Sequence, residues 1–196
     1  MNLQFIGDAL DHWKGSVFEA LQQSNLLLDF QVDAMASDAE AWCENDHVLY
    51  AKLLRIHRHQ IVPHKHTLNS NRNLYFGEVP IDGDLFLDPD TGFQTGRVKD
   101  PTQYLTPAEL FSLLGQNKKR IVIVYQHVQR KRTRDRVEGV LDVLRNDHPH
   151  FSCISYESGT VALLLFSFEH RRVRTIGDHF RVLLGVHAKN RIGEWE

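Results

Sequence analysis

The pattern of apolar and polar positions divides the first third of the chain into a helix, a strand and a second helix. Apolar residues at three- and four-residue spacing predict a helix over 8–23. The run LLLDFQV predicts a first strand over 26–32. Ser37 and Glu40 have the spacing of a capping box, which predicts a helix from there to about Ile56.

The remaining pattern continues this alternation of strands and helices. The predicted elements are a strand over 85–87, a helix from Pro107 to Leu114, a strand over 120–125, a helix from about Thr133, strands over 151–156 and 161–168, and a helix near 173–184. The Ser158-Gly159 link is short enough for a hairpin, so the last two strands should be antiparallel. The order predicts one α/β domain over 1–196, with a Rossmann-like, mainly parallel sheet and a C-terminal antiparallel hairpin.

One segment between these elements is rich in histidine. The sequence HRHQIVPHKH places histidines at His57, His59, His64 and His66. Alternate residues of a strand face the same way, so each His-x-His pair presents two imidazoles together, a spacing found in transition-metal sites. Pro63 argues against one continuous central strand. A metal site and ordinary surface or phosphate-contacting histidines both remain open at this segment.

Composition and charge predict a protein of the cytoplasm. The 196 residues are 42% hydrophobic with a formal net charge of −2, and no apolar run approaches the ~20 residues that span a bilayer. The opening MNLQFIGDALDHWKG lacks the pattern of a secretory signal. Cys43 and Cys153 are far apart and form no metal or redox motif. We therefore expect a cytoplasmic protein without a membrane partner.

A basic stretch indicates a polyanionic ligand. Gln129 to Arg136 has the sequence QRKRTRDR, whereas the first hundred residues carry most of the acidic side chains. A local basic face on a nearly neutral protein is compatible with a nucleic acid or a nucleotide. Arg130, Arg132 and Arg134 are the candidates for phosphate contacts in this stretch.

Polar residues follow two of the predicted strands. The strand in GDLFLDPDTG is followed by Asp88 and Asp90, and the strand RIVIVY ends at Tyr125, Gln126 and His127. Ligands of open α/β sheets bind beyond the carboxyl ends of such strands. These residues therefore define the candidate site at one edge of the sheet.

Two motifs resemble known families. Asp88-Pro89-Asp90, directly after an apolar strand, resembles the (D/N)PP(Y/F) motif of adenine-N6 methyltransferases. The segment from Gly7 to Lys14, GDALDHWK, is similar to the opening of the bacterial ribosomal-RNA adenine-N6 methyltransferases. The whole layout is also similar to a family of uncharacterised bacterial and phage proteins that carry F-x-DPD-x-G and a strand ending in YQH.

The resemblance implies a class I fold, S-adenosylmethionine as cofactor and methyl transfer to a nucleic acid or nucleotide. It makes Asp88, Asp90, His127 and Lys14 the catalytic candidates. The candidates for cofactor contact are Asp8, Asp11 and Asp33, and those for substrate or phosphate contact are Tyr125, Gln126, Arg130, Arg132 and Arg134. The sequence departs from the family in having Asp90 and Thr91 at the last two motif positions, and no glycine in LLLDFQVDAM after the first strand.

Two alternatives remain open on the same residues. In the first, Asp8, Asp11, Asp33, Asp88 and Asp90 bind Mg²⁺ in a metal-dependent nuclease or phosphodiesterase. Lys14, His127 and Arg130 would then stabilise a phosphate. In the second, the chain is a degenerate methyltransferase-like domain that binds or inhibits without catalysis, which the missing glycine-rich turn would explain.

Overall fold

A six-stranded mixed sheet forms the centre of the computed structural model, which describes residues 1–68, 71–128 and 132–195. The helices are α1 (Ala9–Gln23), α2 (Glu44–Leu53), α3 (Arg72–Gly77), α4 (Pro107–Gln116), α5 (Thr133–Asp147) and α6 (His170–Leu184). The strands are β1 (Gln31–Asp33), β2 (Leu85–Leu87), β3 (Gly92–Phe93), β4 (Tyr104–Leu105), β5 (Val122–His127), β6 (Ser152–Ser158), β7 (Val161–Ser167) and β8 (Ile192–Trp195). The predicted α/β class is confirmed.

The order of strands in the main sheet is β1-β2-β5-β7-β6-β8. Pairing is parallel from β1 to β2 and from β2 to β5, and antiparallel in the three pairings from β5 through β7 and β6 to β8. The expected mainly parallel sheet is thus observed as a mixed one. β3 and β4 form a separate parallel pair beside it.

Apolar side chains cover both faces of β2. Phe86 lies on the face covered by α1, with its ring 4.7 Å from that of Phe18. Leu85 and Leu87 face the opposite way, into a second apolar cluster that includes Leu114 of α4. All three residues of the strand are fully buried. A continuous apolar run is the pattern that a strand buried on both faces requires.

The first strand is shorter than its apolar pattern predicts. β1 comprises Gln31–Asp33, whereas the prediction was 26–32. Leu28 donates its backbone N–H to the Asp84 carboxylate and accepts from the Asp84 N–H, and Asp29 takes a left-handed conformation with φ 44°. Residues 26–30 therefore turn toward Asp84 instead of extending the strand.

The second helix begins later than the capping-box pattern predicts. α2 starts at Glu44, after Cys43 at its N-cap. Ser37 does not cap a helix because its hydroxyl donates to Asp90 at 2.6 Å, across the end of the sheet. A tertiary contact here replaces the local one that the sequence pattern favours.

Other boundaries follow their local signals. The capping box of Thr106 and Glu109 begins α4, and α5 begins at Thr133 as predicted. α3, at Arg72–Gly77, was not predicted, and residues 69 and 70 before it lie outside the described residues. β8 was not predicted. In the described ranges, no helix has the length and apolar character needed to cross a bilayer.

Candidate functional site

The carboxyl ends of β1, β2 and β5 meet at one edge of the sheet. β1 ends at Asp33, Asp88 follows β2, and β5 ends at His127. The Asp88 N–H donates to the Asp33 carbonyl at 3.1 Å, so the first two strand ends are joined directly. The structure therefore brings together the strand ends that the sequence predicts as the site.

Asp88 lies in a buried cluster of charged and hydroxyl groups. Its Oδ2 atom accepts from Lys14 Nζ at 2.7 Å and from the Tyr50 hydroxyl at 2.5 Å. Lys14 also contacts Asp11 at 2.9 Å, and its ammonium lies 4.9 Å from the centre of the Tyr125 ring. Asp88 is 1% exposed. This cluster joins α1, α2 and the end of β2, and Asp88 lines neither of the two cavities described below.

The pKa values in this cluster favour the charged pair. Burial alone would lower the pKa of Lys14, but the carboxylates of Asp88 and Asp11 raise it above its ordinary value. Burial raises the pKa of Tyr50 well above its usual range, and the Asp88 charge adds to that shift. Lys14 therefore stays an ammonium and Tyr50 a neutral donor, which suits positioning rather than proton abstraction.

Two more predicted acids are held by local contacts. Asp90 contacts the Met1 amine at 2.9 Å and accepts from the Ser37 hydroxyl, and its side chain is 15% exposed. Asp8 is exposed and caps α1, where it accepts the Leu10 N–H at 2.8 Å. The Asp8 carboxylate is therefore engaged in capping α1.

Asp33 is different because one of its oxygens is free. Its Oδ1 atom accepts from the Tyr75 hydroxyl at 2.5 Å and from the Met35 N–H at 2.8 Å. The Oδ2 atom is buried and has no hydrogen-bond partner among the residues that the structure describes. A buried carboxylate oxygen without a hydrogen-bond partner is uncommon in folded proteins, and Asp33 lines the cavity described below.

His64 lies between Asp33 and Glu78. Its ring stacks on Tyr75 with centroids 3.8 Å apart, Nε2 lies 3.2 Å from Asp33, and Nδ1 lies 3.4 Å from Glu78. Burial alone would lower the pKa of His64, but the two carboxylates raise it. Hydrogen bonds to Glu78, including one from His66 at 2.7 Å, outweigh desolvation and lower the Glu78 pKa to about 2. The two acids therefore favour the charged form of His64.

The four histidines of the 57–66 segment do not act together. His57 and His59 stack on each other with ring centroids 5.4 Å apart, whereas His64 and His66 contact Glu78. Instead of a strand, the segment contains a short 3-10 turn at Arg58–Gln60. Across 1–68, 71–128 and 132–195, no three His, Cys, Asp or Glu side chains are grouped to hold a metal ion.

A cavity of about 430 Å³ opens beside the carboxyl end of β1. We call it the β1 cavity. It is lined by acidic, aromatic and basic side chains, including Asp33, Trp42, His47, Arg58, His64 and Tyr75. Asp33, His64 and His66 are the lining residues that the sequence analysis had singled out. Tyr75 lies 42 positions from Asp33 in the chain, and no motif links the two.

The turn that follows β1 is tight although it contains no glycine. Met35 adopts the left-handed conformation with φ 43°, and its side chain is fully buried. This conformation costs an ordinary residue about 1–2 kcal/mol. The Met35 N–H bonds to the Asp33 carboxylate, so the turn also orients the acid. Met35 thus adopts a backbone conformation that glycine takes more easily.

Gln126 fixes the backbone on the other side of Asp88. Its Oε1 atom accepts from the Phe93 N–H at 2.9 Å, and its Nε2 donates to the carbonyls of Thr91 and His127. Gly92, at φ +114°, allows this contact, since a Cβ there would lie 2.5 Å from the Gln126 amide. Gln126 is fully buried, and these internal hydrogen bonds make it a positioning residue in this structure.

A second cavity, of about 280 Å³, lies over this backbone at the end of β5. We call it the β5 cavity. Its lining includes Thr91, Thr95, Arg97, Tyr104, His127 and Arg136. Arg136 belongs to the basic stretch, but no pattern in the sequence distinguishes it from its neighbours.

The other predicted arginines lie elsewhere. Arg134 contacts Glu157 at 3.1 Å and lies over the Trp195 ring, on the side of β6 and β8. Arg132 is exposed at the start of α5. Arg130 lies outside the described residues. The structure thus divides the basic stretch between two surfaces.

The candidate acids are divided in a similar way, among the Lys14 cluster, the Met1 and Ser37 contacts, and the β1 cavity. Each group contacts its own cation or hydroxyl donors.

No protein-family model and no curated protein matches this chain.

Proposed function

We propose that the chain is a cytoplasmic, methyltransferase-like protein that acts on a nucleotide or nucleic acid, and that its β1 cavity binds S-adenosylmethionine. The free Oδ2 atom of Asp33 carries this proposal. In Rossmann folds, an acidic residue beyond a parallel strand accepts hydrogen bonds from ribose hydroxyls. Three neighbouring parallel strands followed by an antiparallel hairpin support a Rossmann-like arrangement.

The cavity has the size and chemistry that such a ligand needs. About 430 Å³ falls within the range of small-molecule sites. Trp42 supplies an aromatic face for a purine ring or for the positive sulfonium group. Asp33 supplies a hydrogen-bond acceptor, and Met35 provides the tight turn despite the absence of glycine.

When bound, S-adenosylmethionine supplies a methyl group to a nucleophile, and adenine N6 is the acceptor that the Asp88-Pro89-Asp90 motif favours. Asp33 would hold the ribose and Trp42 would contact the base. Asp88 would act through the backbone, because its carboxylate is used by Lys14 and Tyr50. Asp88 would thereby hold the segment that follows β2 in place.

The burial of Asp88 also favours a second candidate function. A domain that binds the same ligand without transferring a methyl group has no need of an accessible acid at this position. Asp88 is 1% exposed and pairs with a buried ammonium. Assay of labelled methyl transfer to mixed single-stranded RNA and DNA separates the two functions, since only the enzyme labels the nucleic acid.

Calorimetric titration with S-adenosylmethionine tests the binding proposal. We expect a dissociation constant in the micromolar range for the native chain and at least tenfold weaker binding for Trp42→Ala, about 1.4 kcal/mol or more. Phe5→Ala is the matched control, because Phe5 is exposed and lies away from the cavity. Absence of binding to the native chain, or equal loss in both variants, would overturn the proposal.

A further inference from the structure

The β5 cavity gathers two arginines and a histidine around a segment of backbone held by internal hydrogen bonds. Arg97, His127 and Arg136 line it together with the side chains of Thr95 and Tyr104. Arg97 is exposed, whereas His127 and Arg136 are half-buried. These side chains line a space near the end of β5. Because β2 lies between β1 and β5 in the sheet, this space is separate from the β1 cavity.

Arg136 shows that this cavity is suited to an anion. Its guanidinium donates to the Thr95 hydroxyl at 2.9 Å and to the Phe93 carbonyl at 3.2 Å, both of which are neutral acceptors. Within the described part of the chain it forms no ion pair with a carboxylate. Burial lowers its pKa, as expected for a cation that is partly removed from water without a counter-charge. A bound anion would compensate this cost.

The surrounding contacts keep the cavity in shape before any ligand arrives. Gln126 binds the backbone on both sides of Gly92, and the His127 N–H donates to the Thr91 carbonyl at 3.0 Å. Arg136 is held by the same segment through Phe93 and Thr95. Such preorganisation lowers the entropic cost of binding.

We propose that the β5 cavity binds the phosphate of a nucleotide unit through Arg97, Arg136 and His127. This inference rests on the proposed function and names its substrate contact, with the cofactor in the β1 cavity and the phosphate on the other side of Asp88. Arginine with nearby hydroxyl groups is a common phosphate-binding combination. The volume of about 280 Å³ suits a single group better than a whole drug-sized ligand.

The test is fluorescence anisotropy with a labelled, short single-stranded oligonucleotide of mixed sequence, in parallel with calorimetry of adenosine monophosphate and adenosine. The variants are Arg136→Gln, Arg136→Lys and Arg97→Gln. Arg97 is exposed, so its loss leaves folding intact even where removal of Arg136 disturbs the loop. Lys99→Gln is the matched control, as Lys99 is an exposed cation of the same loop outside the cavity lining.

We expect Arg136→Gln to weaken phosphate binding about tenfold and Arg97→Gln about fivefold, with Arg136→Lys between Arg136→Gln and the native chain. In a plot of the logarithm of the binding constant against the logarithm of the salt concentration, the magnitude of the slope should fall by about 0.7 for each phosphate contact that is lost. Stronger binding of the oligonucleotide than of the monophosphate identifies nucleic acid as the source of the phosphate, and the reverse order identifies a free nucleotide.

Equal losses in Lys99→Gln and Arg97→Gln would overturn the proposal, because the effect would then be general charge. Adenosine binding as strongly as adenosine monophosphate would overturn it as well. The outcome is separate from that at the β1 cavity, since Trp42→Ala should weaken S-adenosylmethionine and leave oligonucleotide binding unchanged. Failure of cofactor binding with a preserved arginine effect would reject the proposed function and keep the phosphate site.

Discussion

The Lys14 ammonium lies 2.7 Å from the Asp88 carboxylate, although the two residues are 74 positions apart in the chain. Both side chains are at most 3% exposed, and Tyr50 donates to the same carboxylate oxygen. The pair therefore links α1 and α2 to the end of β2. Asp88 of the DPD motif therefore stabilises the structure around the site. The carboxylate oxygen without a partner at this sheet edge belongs to Asp33.

Asp88→Asn should destabilise the protein by about 3–5 kcal/mol. Removal of one member of a buried ion pair leaves the other charge without full compensation, and Lys14 would retain only Asp11. Urea unfolding followed by circular dichroism measures the change as a lower midpoint with an unchanged slope.

The control for Asp88→Asn is Glu19→Gln, which removes an exposed acid that pairs with Arg55 on the surface. That change should cost at most about 1 kcal/mol. If Asp88→Asn is no more costly than Glu19→Gln, the Lys14 cluster does not carry the structural role given to it.

Gly92→Ala should destabilise the loop over the β5 cavity and reduce oligonucleotide binding. The φ of +114° strains any other residue, by about 1–3 kcal/mol, and the new Cβ would meet the Gln126 amide at 2.5 Å. Gly77→Ala is the control, since Gly77 is exposed, lies outside the lining of the β5 cavity, and a Cβ there meets nothing within 4 Å. Chemical unfolding and anisotropy should both change for Gly92→Ala alone, and equal behaviour of the two variants would contradict this account.

The contribution of His64 to stability should depend on pH. Its folded-state pKa is raised by Asp33 and Glu78, so its stabilising effect is fully present below the unfolded value of about 6.5. The effect should then disappear as the pH rises through the raised folded-state pKa. The difference in unfolding free energy between the native chain and His64→Gln should therefore shrink as the pH rises from 6 into the mildly alkaline range.

His12→Gln provides the comparison for that experiment, because His12 is an exposed residue of α1 outside both cavities. Its difference from the native chain should stay constant over the same range. If the difference in unfolding free energy for His64→Gln is constant or grows with pH, then Asp33 and Glu78 do not raise the pKa of His64.

Local signals predicted the elements whose ends are fixed by their own residues. Thr106 and Glu109 cap α4 through contacts three residues apart, and the apolar run of β2 is buried on both faces as its pattern requires. Where the chain makes a distant contact, the same rules failed. Ser37 bonds to Asp90 instead of capping a helix, and Leu28 bonds to Asp84 instead of extending β1.

The same distinction between local signals and distant contacts applies to the candidate site. The sequence placed Asp33, Asp88 and His127 at one edge of the sheet, because parallel strands align their carboxyl ends. It gave no sign that Tyr50 would occupy the Asp88 carboxylate or that Tyr75 would hold Asp33 by one oxygen. These contacts join segments about 40 residues apart, and neither periodicity nor motif spacing encodes them.

The most direct measurement is the titration of S-adenosylmethionine into the native chain and into Asp33→Asn. Asparagine keeps an oxygen for the Met35 N–H but replaces the free acceptor by a donor. We predict micromolar binding to the native chain and a loss of at least tenfold in the variant, with thermal unfolding showing that the variant stays folded. Equal affinities, or no binding to the native chain, would contradict the central role of Asp33.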